Sequence, residues 1–293
     1  MVKLTWYGHA AWQIDFNDAT VVVDPFLNNN PKSPIKAENL KKVDFVIVTH
    51  NHDDHLGDAF EITKNKGAKL ISMFENVLPG SEKGIPDENL VGMNIGNQVN
   101  FGKIKVGLVP AVHSGNCAGA VITGDGVTIY HAGDTGLFGD MKLIGQMYKP
   151  KVSLLPTGGF FTMGPKEAAM AARMIGSEIV MPMHYGTFPP IDSNPNELRD
   201  ALGDEFKVPI MKPGESFINR SSHQCSGGLT ITHLPIACDE PQDQNCGTPR
   251  TGLLSFLSQL QNLYIFYFRH TAIHRNMAKN ISHPMALDVA VPI

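Results

Sequence analysis

The chain has 293 residues, 24 of them basic and 28 acidic for a net charge of −4, with 42% hydrophobic and 18% charged side chains. That balance excludes collagen-like, coiled-coil and wholly disordered chains, and it supplies no bulk positive field for a phosphate backbone, so nucleic acid is not an expected partner. Four cysteines, none in a C-x-x-C pair, are too few for a disulfide framework, and the N-terminus lacks a basic stretch followed by a signal-length apolar run, so a cytoplasmic protein beginning at Met1 is expected.

In chain order, Lys3 to Phe16 and Thr20 to Asp24 are rich in β-branched and aromatic residues, and the Asn17-Asp18 break between them predicts a hairpin. Val43 to Thr49 and Ala68 to Met73 read as buried strands on either side of an amphipathic stretch from Gly57 to Lys66. Further strands are predicted at Ile104 to Pro110, Ala118 to Thr123, Val127 to His131, Val152 to Leu155, Glu178 to Met183 and Val208 to Lys212. Helices are predicted at Phe138 to Tyr148, at Pro165 to Ile175 with proline first, and at Asn196 to Leu202. Strands and hairpins dominate the first half and strand-helix units the second, so two packed sheets covered by helices are expected.

The pattern breaks down after Phe217. Residues 1–218 are expected to form one domain and 219–293 an atypical extension, disordered or weakly structured, whose shift in composition suggests a read-through or frameshifted segment more than a lineage-specific extension. Leu253 to Phe268 is apolar, but sixteen residues interrupted by Gln259, Gln261 and Asn262 fall short of the roughly 20 that span a bilayer. Histidine is divided in the same way. Seven of the twelve (His9, His50, His52, His55, His113, His131 and His184) lie before residue 219.

His50-Asn51-His52-Asp53-Asp54-His55 directly follows the strand ending at Thr49. Such a run can converge on a metal where the backbone turns sharply, and imidazole with carboxylate suits zinc, manganese or iron better than calcium or magnesium. His113, Asp134 and His184 each follow a predicted strand in the same manner, as ligands gathered outside the carboxyl ends of strands would.

These residues resemble the metallo-β-lactamase superfamily in identity, order and spacing. Trp6-Tyr7-Gly8-His9-Ala10, Asp24-Pro25-Phe26, Thr162-Met163-Gly164-Pro165 and Met183-His184-Tyr185-Gly186-Thr187-Phe188 narrow the resemblance to metal-dependent hydrolases near the ascorbate-phosphate lactonases and phospholipase D-like N-acylethanolamine enzymes. The resemblance covers residues 1 to about 218. It implies an α/β fold, an αββα sandwich of two mixed sheets, with two divalent ions at one edge, zinc in first place and manganese or iron as alternatives. By position His50, His52 and His113 would hold the first ion, Asp54, His55 and His184 the second, and Asp134 would bridge them.

The chemistry so implied is hydrolysis of a small ester, lactone or phosphodiester by a hydroxide available at neutral pH. Asp54 would act both as ligand and as orienter of that hydroxide. His9 would bind substrate or protonate a leaving group, and Tyr185 would donate to an oxyanion. His131 would orient ligands through a hydrogen bond. The same scaffold also admits an iron-dependent dioxygenase, a thioester hydrolase or a non-catalytic metal-binding scaffold. A small-molecule substrate is expected, and a homo-oligomer is compatible with the sequence. Residues 1–218 carry 19 basic against 24 acidic groups, which strengthens the case against nucleic acid.

Overall fold

Val21 and Val23 pack in one apolar cluster, while Val22 between them packs in another. This period-two sorting of side chains builds the whole architecture. The computed structural model describes residues 1–219, so the expectations for the later residues, Leu253 to Phe268 included, lie outside the described residues.

The first half contains β1 (Val2–Trp6), β2 (Trp12–Asp15), β3 (Thr20–Val23), β4 (Phe45–Ile47), α1 (Asp53–Leu56), α2 (Ala59–Lys66), β5 (Lys69–Met73), α3 (Phe74–Val77), α4 (Pro79–Glu82), β6 (Leu90–Met93) and β7 (Val99–Asn100). The second contains β8 (Lys105–Val109), β9 (Gly119–Gly124), β10 (Val127–His131), α5 (Met141–Tyr148), β11 (Val152–Pro156), α6 (Pro165–Ile175), β12 (Ile179–Met183), α7 (Asn196–Leu202) and β13 (Ser216–Asn219). One sheet has the order β13-β1-β2-β3-β4-β5-β6 and the other β12-β11-β10-β9-β8-β7. Both are mixed: β3 to β6 are parallel, as are β10 to β12, and the remaining pairs are antiparallel.

Leu4, Trp12, Ile14, Phe45 and Ile47 of the first sheet meet Val106, Ile122, Ile129, Leu154 and Met181 of the second in a central core. Residues one step along the strands face outward. Val121, Tyr130 and Val180 pack under α5, α6 and α7, and Val46 and Leu70 pack under α2. Each fully buried aliphatic side chain contributes about 1.5–3 kcal/mol, so the three cores commit the chain to the αββα sandwich. Among the described residues no helix is long and apolar enough to cross a membrane.

Three local expectations are corrected. The run from Lys3 to Phe16 is cut into β1 and β2 by a turn in which Gly8 (φ 92) and His9 (φ 56) are left-handed, closed by Tyr7 N to Ala11 O at 2.8 Å. Val208 to Lys212 forms no strand: Pro209 has no N–H to give a ladder, and only an isolated bridge joins Lys207 to Ile179. The last strand is instead β13, which pairs Phe217 with Leu4 and runs to Asn219.

Candidate metal centre

β8, β10 and β12 run in one direction in the second sheet, because β9 is antiparallel to both β8 and β10 while β11 is parallel to β10 and β12. Their carboxyl ends therefore open on one edge, where His113, Asp134 and His184 follow. β4 of the first sheet delivers His50 to that edge, and Ala118 N donates to Thr49 O at 2.9 Å to join the two sheets there. The run from His50 to His55 is not all loop. His52 caps the one-turn α1, which carries Asp54 and His55 and stops at left-handed Gly57 (φ 40). A Cβ on Gly57 would stand 2.6 Å from the Pro25 carbonyl oxygen, so only glycine lets α1 lie this close to the chain leaving β3.

All seven expected ligands come together. His50, His52 and His113 form one group, and Asp54, His55 and His184 form a second with His9. His50, His55 and Asp134 link the two, the potential ligand atoms of each group lying within 4.8 Å of one another. His52 Nδ1 is 3.1 Å from His50 Nε2 and 3.3 Å from His113 Nε2. A single proton on His52 cannot serve both nitrogens well, whereas a cation among the three serves all of them. His55 Nε2 is 3.2 Å from Asp134 Oδ1, and His184 Nε2 is 2.9 Å from Asp134 Oδ2. Yet His55 Nε2, His184 Nε2 and Asp134 Oδ1 are buried without an aligned hydrogen bond. Buried polar atoms aimed at shared space but not at one another fit a metal ion, and donors of nitrogen and carboxylate oxygen fit zinc, manganese or iron.

Asp24 organises this edge, and the sequence reading gave it no role. Fully buried at the end of β3, it accepts Thr49 N and Thr49 Oγ1, each at 2.7 Å, and His55 Nδ1 at 2.7 Å. The Thr49 hydroxyl, having given its proton to Asp24, accepts from His50 Nδ1 at 3.1 Å. Both histidines are thereby held with Nε2 turned to the cluster, an outer carboxylate fixing ligand tautomers. Its signal in the sequence was slight: an aspartate before proline at the end of a strand.

His9 is fully buried, with Nε2 3.1 Å from Asp54 Oδ2 and Nδ1 3.0 Å from Thr187 Oγ1. Its carbonyl accepts Trp6 Nε1 at 3.0 Å and His184 N at 2.9 Å. His131 Nε2 donates to Ala10 O at 3.0 Å while Nδ1 accepts Gly133 N at 3.1 Å, so its ring ties the His9 turn to the loop bearing Asp134. Tyr185 lies tilted against Trp6 with ring centroids 5.2 Å apart, and its hydroxyl donates to Met211 O at 3.4 Å, a bond it must surrender to serve an oxyanion. It lines a cavity of about 300 Å³ together with His9, Lys32 and Lys212. His9, Asp24 and His184 all have positive φ, at 56°, 46° and 54°, which costs about 1–3 kcal/mol each and concentrates backbone strain at this edge.

Burial, reinforced by His55, depresses His50 to about 3, and burial depresses His9 to about 4 against the pull of Asp54, so both rings are neutral at pH 7. His55 behaves oppositely: burial opposes its charge, but Asp134 and Asp24 outweigh it and hold the imidazole well above its ordinary value. Burial also works against Asp134, yet His55 and His184 keep it well below the usual carboxylate range. Burial pushes the Tyr185 hydroxyl up to about 12.

The fold and this edge define a metallo-β-lactamase-type protein, and a family model described as beta-lactamase superfamily domain matches residues 19–185. The UPF0173 metal-dependent hydrolase of Methanopyrus kandleri is 45% identical over 231 residues, covering 74% of this chain and 99% of that protein. Its counterpart in Pyrococcus furiosus is 44% identical over 227 residues, covering 74% and 99%. Among solved structures, Igni18, a metallo hydrolase from Ignicoccus hospitalis, superposes with a TM-score of 0.69 at 40% identity, covering 75% of this chain and 99% of that one. The chain belongs to the UPF0173 family of metal-dependent hydrolases within the β-lactamase superfamily.

Proposed function

We propose that the protein hydrolyses a small ester, lactone or phosphodiester at a two-metal centre. His50, His52 and His113 would hold one ion, Asp54, His55 and His184 the other, and Asp134 would lie between them. The observation that carries this reading is the convergence of His55 Nε2, His184 Nε2 and Asp134 Oδ1, buried and unbonded, on common space. Divalent ions bound there supply a water acidic enough to attack at neutral pH and polarise the substrate oxygen.

The protein's own groups then divide the work. Asp54 Oδ2 takes the His9 N–H, which leaves Oδ1 for a ligand or for the attacking water. Because His9 holds the Asp54 carboxyl well below the ordinary range against the effect of burial, Asp54 orients water more than it stores a proton. His9, neutral and with its proton already directed at Asp54, holds that carboxylate and is not the source of a leaving-group proton. For an ester, the water oxygen joins the acyl carbon and the bond to the leaving oxygen breaks. One proton of that water passes to the leaving oxygen, while Asp54 keeps the water oriented by accepting its other hydrogen bond.

Metal analysis of protein purified without added metal, followed by turnover on ester, lactone and phosphodiester panels, tests the proposal with His52→Ala as control. Two ions per chain and hydrolysis lost in the variant are expected. Two irons with oxygen-dependent oxidation and no hydrolysis would overturn it, as would full metal loading without turnover on any panel.

A further inference from the structure

The loop from Thr157 to Gly164, between β11 and α6, is fastened at both ends to the neighbourhood of candidate ligands. Thr157 N donates to Met183 O at 3.0 Å, and Gly158 lies so close to His184 that a Cβ would stand 2.2 Å from its carbonyl oxygen. At the other end Met163 N donates to Thr135 O at 3.0 Å, one residue from Asp134. The Thr135 hydroxyl also accepts Val112 N at 3.0 Å, one residue before His113.

The tip between these anchors is Phe160 and Phe161, with ring centroids 4.6 Å apart and exposures of 80% and 54%. Phe160 has φ 52, a left-handed conformation that a side-chain-bearing residue adopts only under constraint. Burial does not explain it, since the ring is largely in water. No residue from Thr157 to Gly164 is charged. Phe188, also exposed, places its ring 5.7 Å from that of His9, and Val112 is exposed beside His113. Phe188 and Val112 thus stand exposed at the edge that gathers the ligands, and the loop that carries Phe160 and Phe161 is anchored to that edge at both ends.

We infer that Phe160 and Phe161, with Phe188 beside His9, form the recognition rim for an apolar acyl or aryl group of the substrate. This rests on the hydrolase reading above. An aromatic pair exposed to water gains its burial when an apolar group covers it, and the continuity of the loop with His184 and Asp134 favours substrate over a separate partner.

The test uses full-length, zinc-loaded protein and p-nitrophenyl esters from acetate to octanoate. The wild-type kcat/KM should rise about two- to fourfold per methylene. The Phe160→Ser/Phe161→Ser double variant should lose that slope while keeping its metal content and melting temperature. Met147→Ser, an apolar-to-polar change on exposed α5, should keep the slope. Calorimetry with octanoate and acetate reads the rim without turnover, and tighter octanoate binding should vanish in the double variant. Hydrolysis with a flat chain-length profile overturns the rim and leaves the hydrolase reading standing. Rim-dependent octanoate binding without hydrolysis of any ester sustains the rim and removes that reading. Neither binding nor hydrolysis overturns both. A slope that survives the double variant while its size-exclusion volume changes makes the pair a contact between copies of the chain and overturns the inference.

Discussion

Asp24 Oδ2 accepts the His55 Nδ1–H at 2.7 Å with both side chains fully buried, and the same carboxylate takes two donors from Thr49. Asparagine at this position offers one acceptor oxygen and an NH₂ group to three donors. Asp24→Asn is expected to cost the fold about 3–5 kcal/mol, as removal of one member of a buried pair does. Metal affinity should drop about 10–100-fold as His50 and His55 lose their fixed tautomers. Denaturant unfolding in chelator and metal titration measure the two effects, and unchanged affinity would contradict the role given to Asp24.

Thr187 fixes His9 in the way Asp24 fixes His55. With the His9 N–H directed at Asp54, the Thr187 hydroxyl donates to Nδ1. Thr187→Val removes that partner at nearly constant volume, and a net loss of about 0.5–1.5 kcal/mol in stability is expected. On the best substrate found, kcat should fall more than KM rises, because Asp54 is misaligned and substrate contacts are kept. Thr187→Ser should restore both. Recovery by Val as complete as by Ser would show the hydroxyl to be idle.

Acid should destabilise the metal-free protein well before its carboxylates titrate. Burial lowers His9, His50, His113 and His131 in the fold, so the unfolded chain binds protons there that the native state refuses. Their contribution is complete above about pH 6.5 and is lost on acidification toward about 4 for His9 and about 3 for His50, at about 1.4 kcal/mol per pH unit for each proton withheld. His55 has the opposite sign: its raised value stabilises below about pH 6.5, and that contribution disappears as pH rises through the raised value. A urea midpoint that falls between pH 6.5 and 4 in chelator checks the first trend.

Metal uptake should release protons. In the metal-free state His55 holds its Nε2 proton against Asp134, and that proton must leave before the nitrogen can bind an ion. Apparent affinity is therefore expected to rise with pH through neutrality. Calorimetry in buffers of different ionisation enthalpy counts the protons, and a count of zero would show that His55 is not a ligand.

The two ligand groups should also be separable. His113 is half-buried at the rim, whereas His50, His55 and Asp134 lie inside. His113→Ala is expected to lower stoichiometry from two ions to one with little loss of stability. His184→Ala should lower both, since its ring is buried beside His9 and His55. Elemental analysis and thermal melting distinguish the outcomes.

The candidate ligands were legible because His50, His113, Asp134 and His184 each come shortly after a strand, and His52, Asp54 and His55 lie within five residues of His50. Asp24, Thr49 and Thr187 were not legible in this way, because their roles come from partners that only the closed sandwich brings near. Thr187, for example, meets a residue 178 positions away. The His9 turn was hidden because histidine at positive φ has no sequence mark, and the aromatic and β-branched residues around it read as one strand. β13 was missed because its pairing with β1 is fixed by that edge and not by a strong local alternation. Tyr185 was expected to donate to an oxyanion from its place beside His184; its ring lies against Trp6, and its hydroxyl would have to leave Met211 O to take that role.

The candidate ligands are drawn from both layers of the sandwich: His50 follows a strand of one sheet, and His113, Asp134 and His184 follow strands of the other. An ion shared between them is therefore a rivet through the two sheets as well as a reagent. Its binding energy adds to the cohesion of the whole protein by RT ln(1 + [M]/Kd), about 2.7 kcal/mol at a hundredfold excess over Kd. Thermal tolerance and catalytic competence would then be governed by one variable, the free metal concentration.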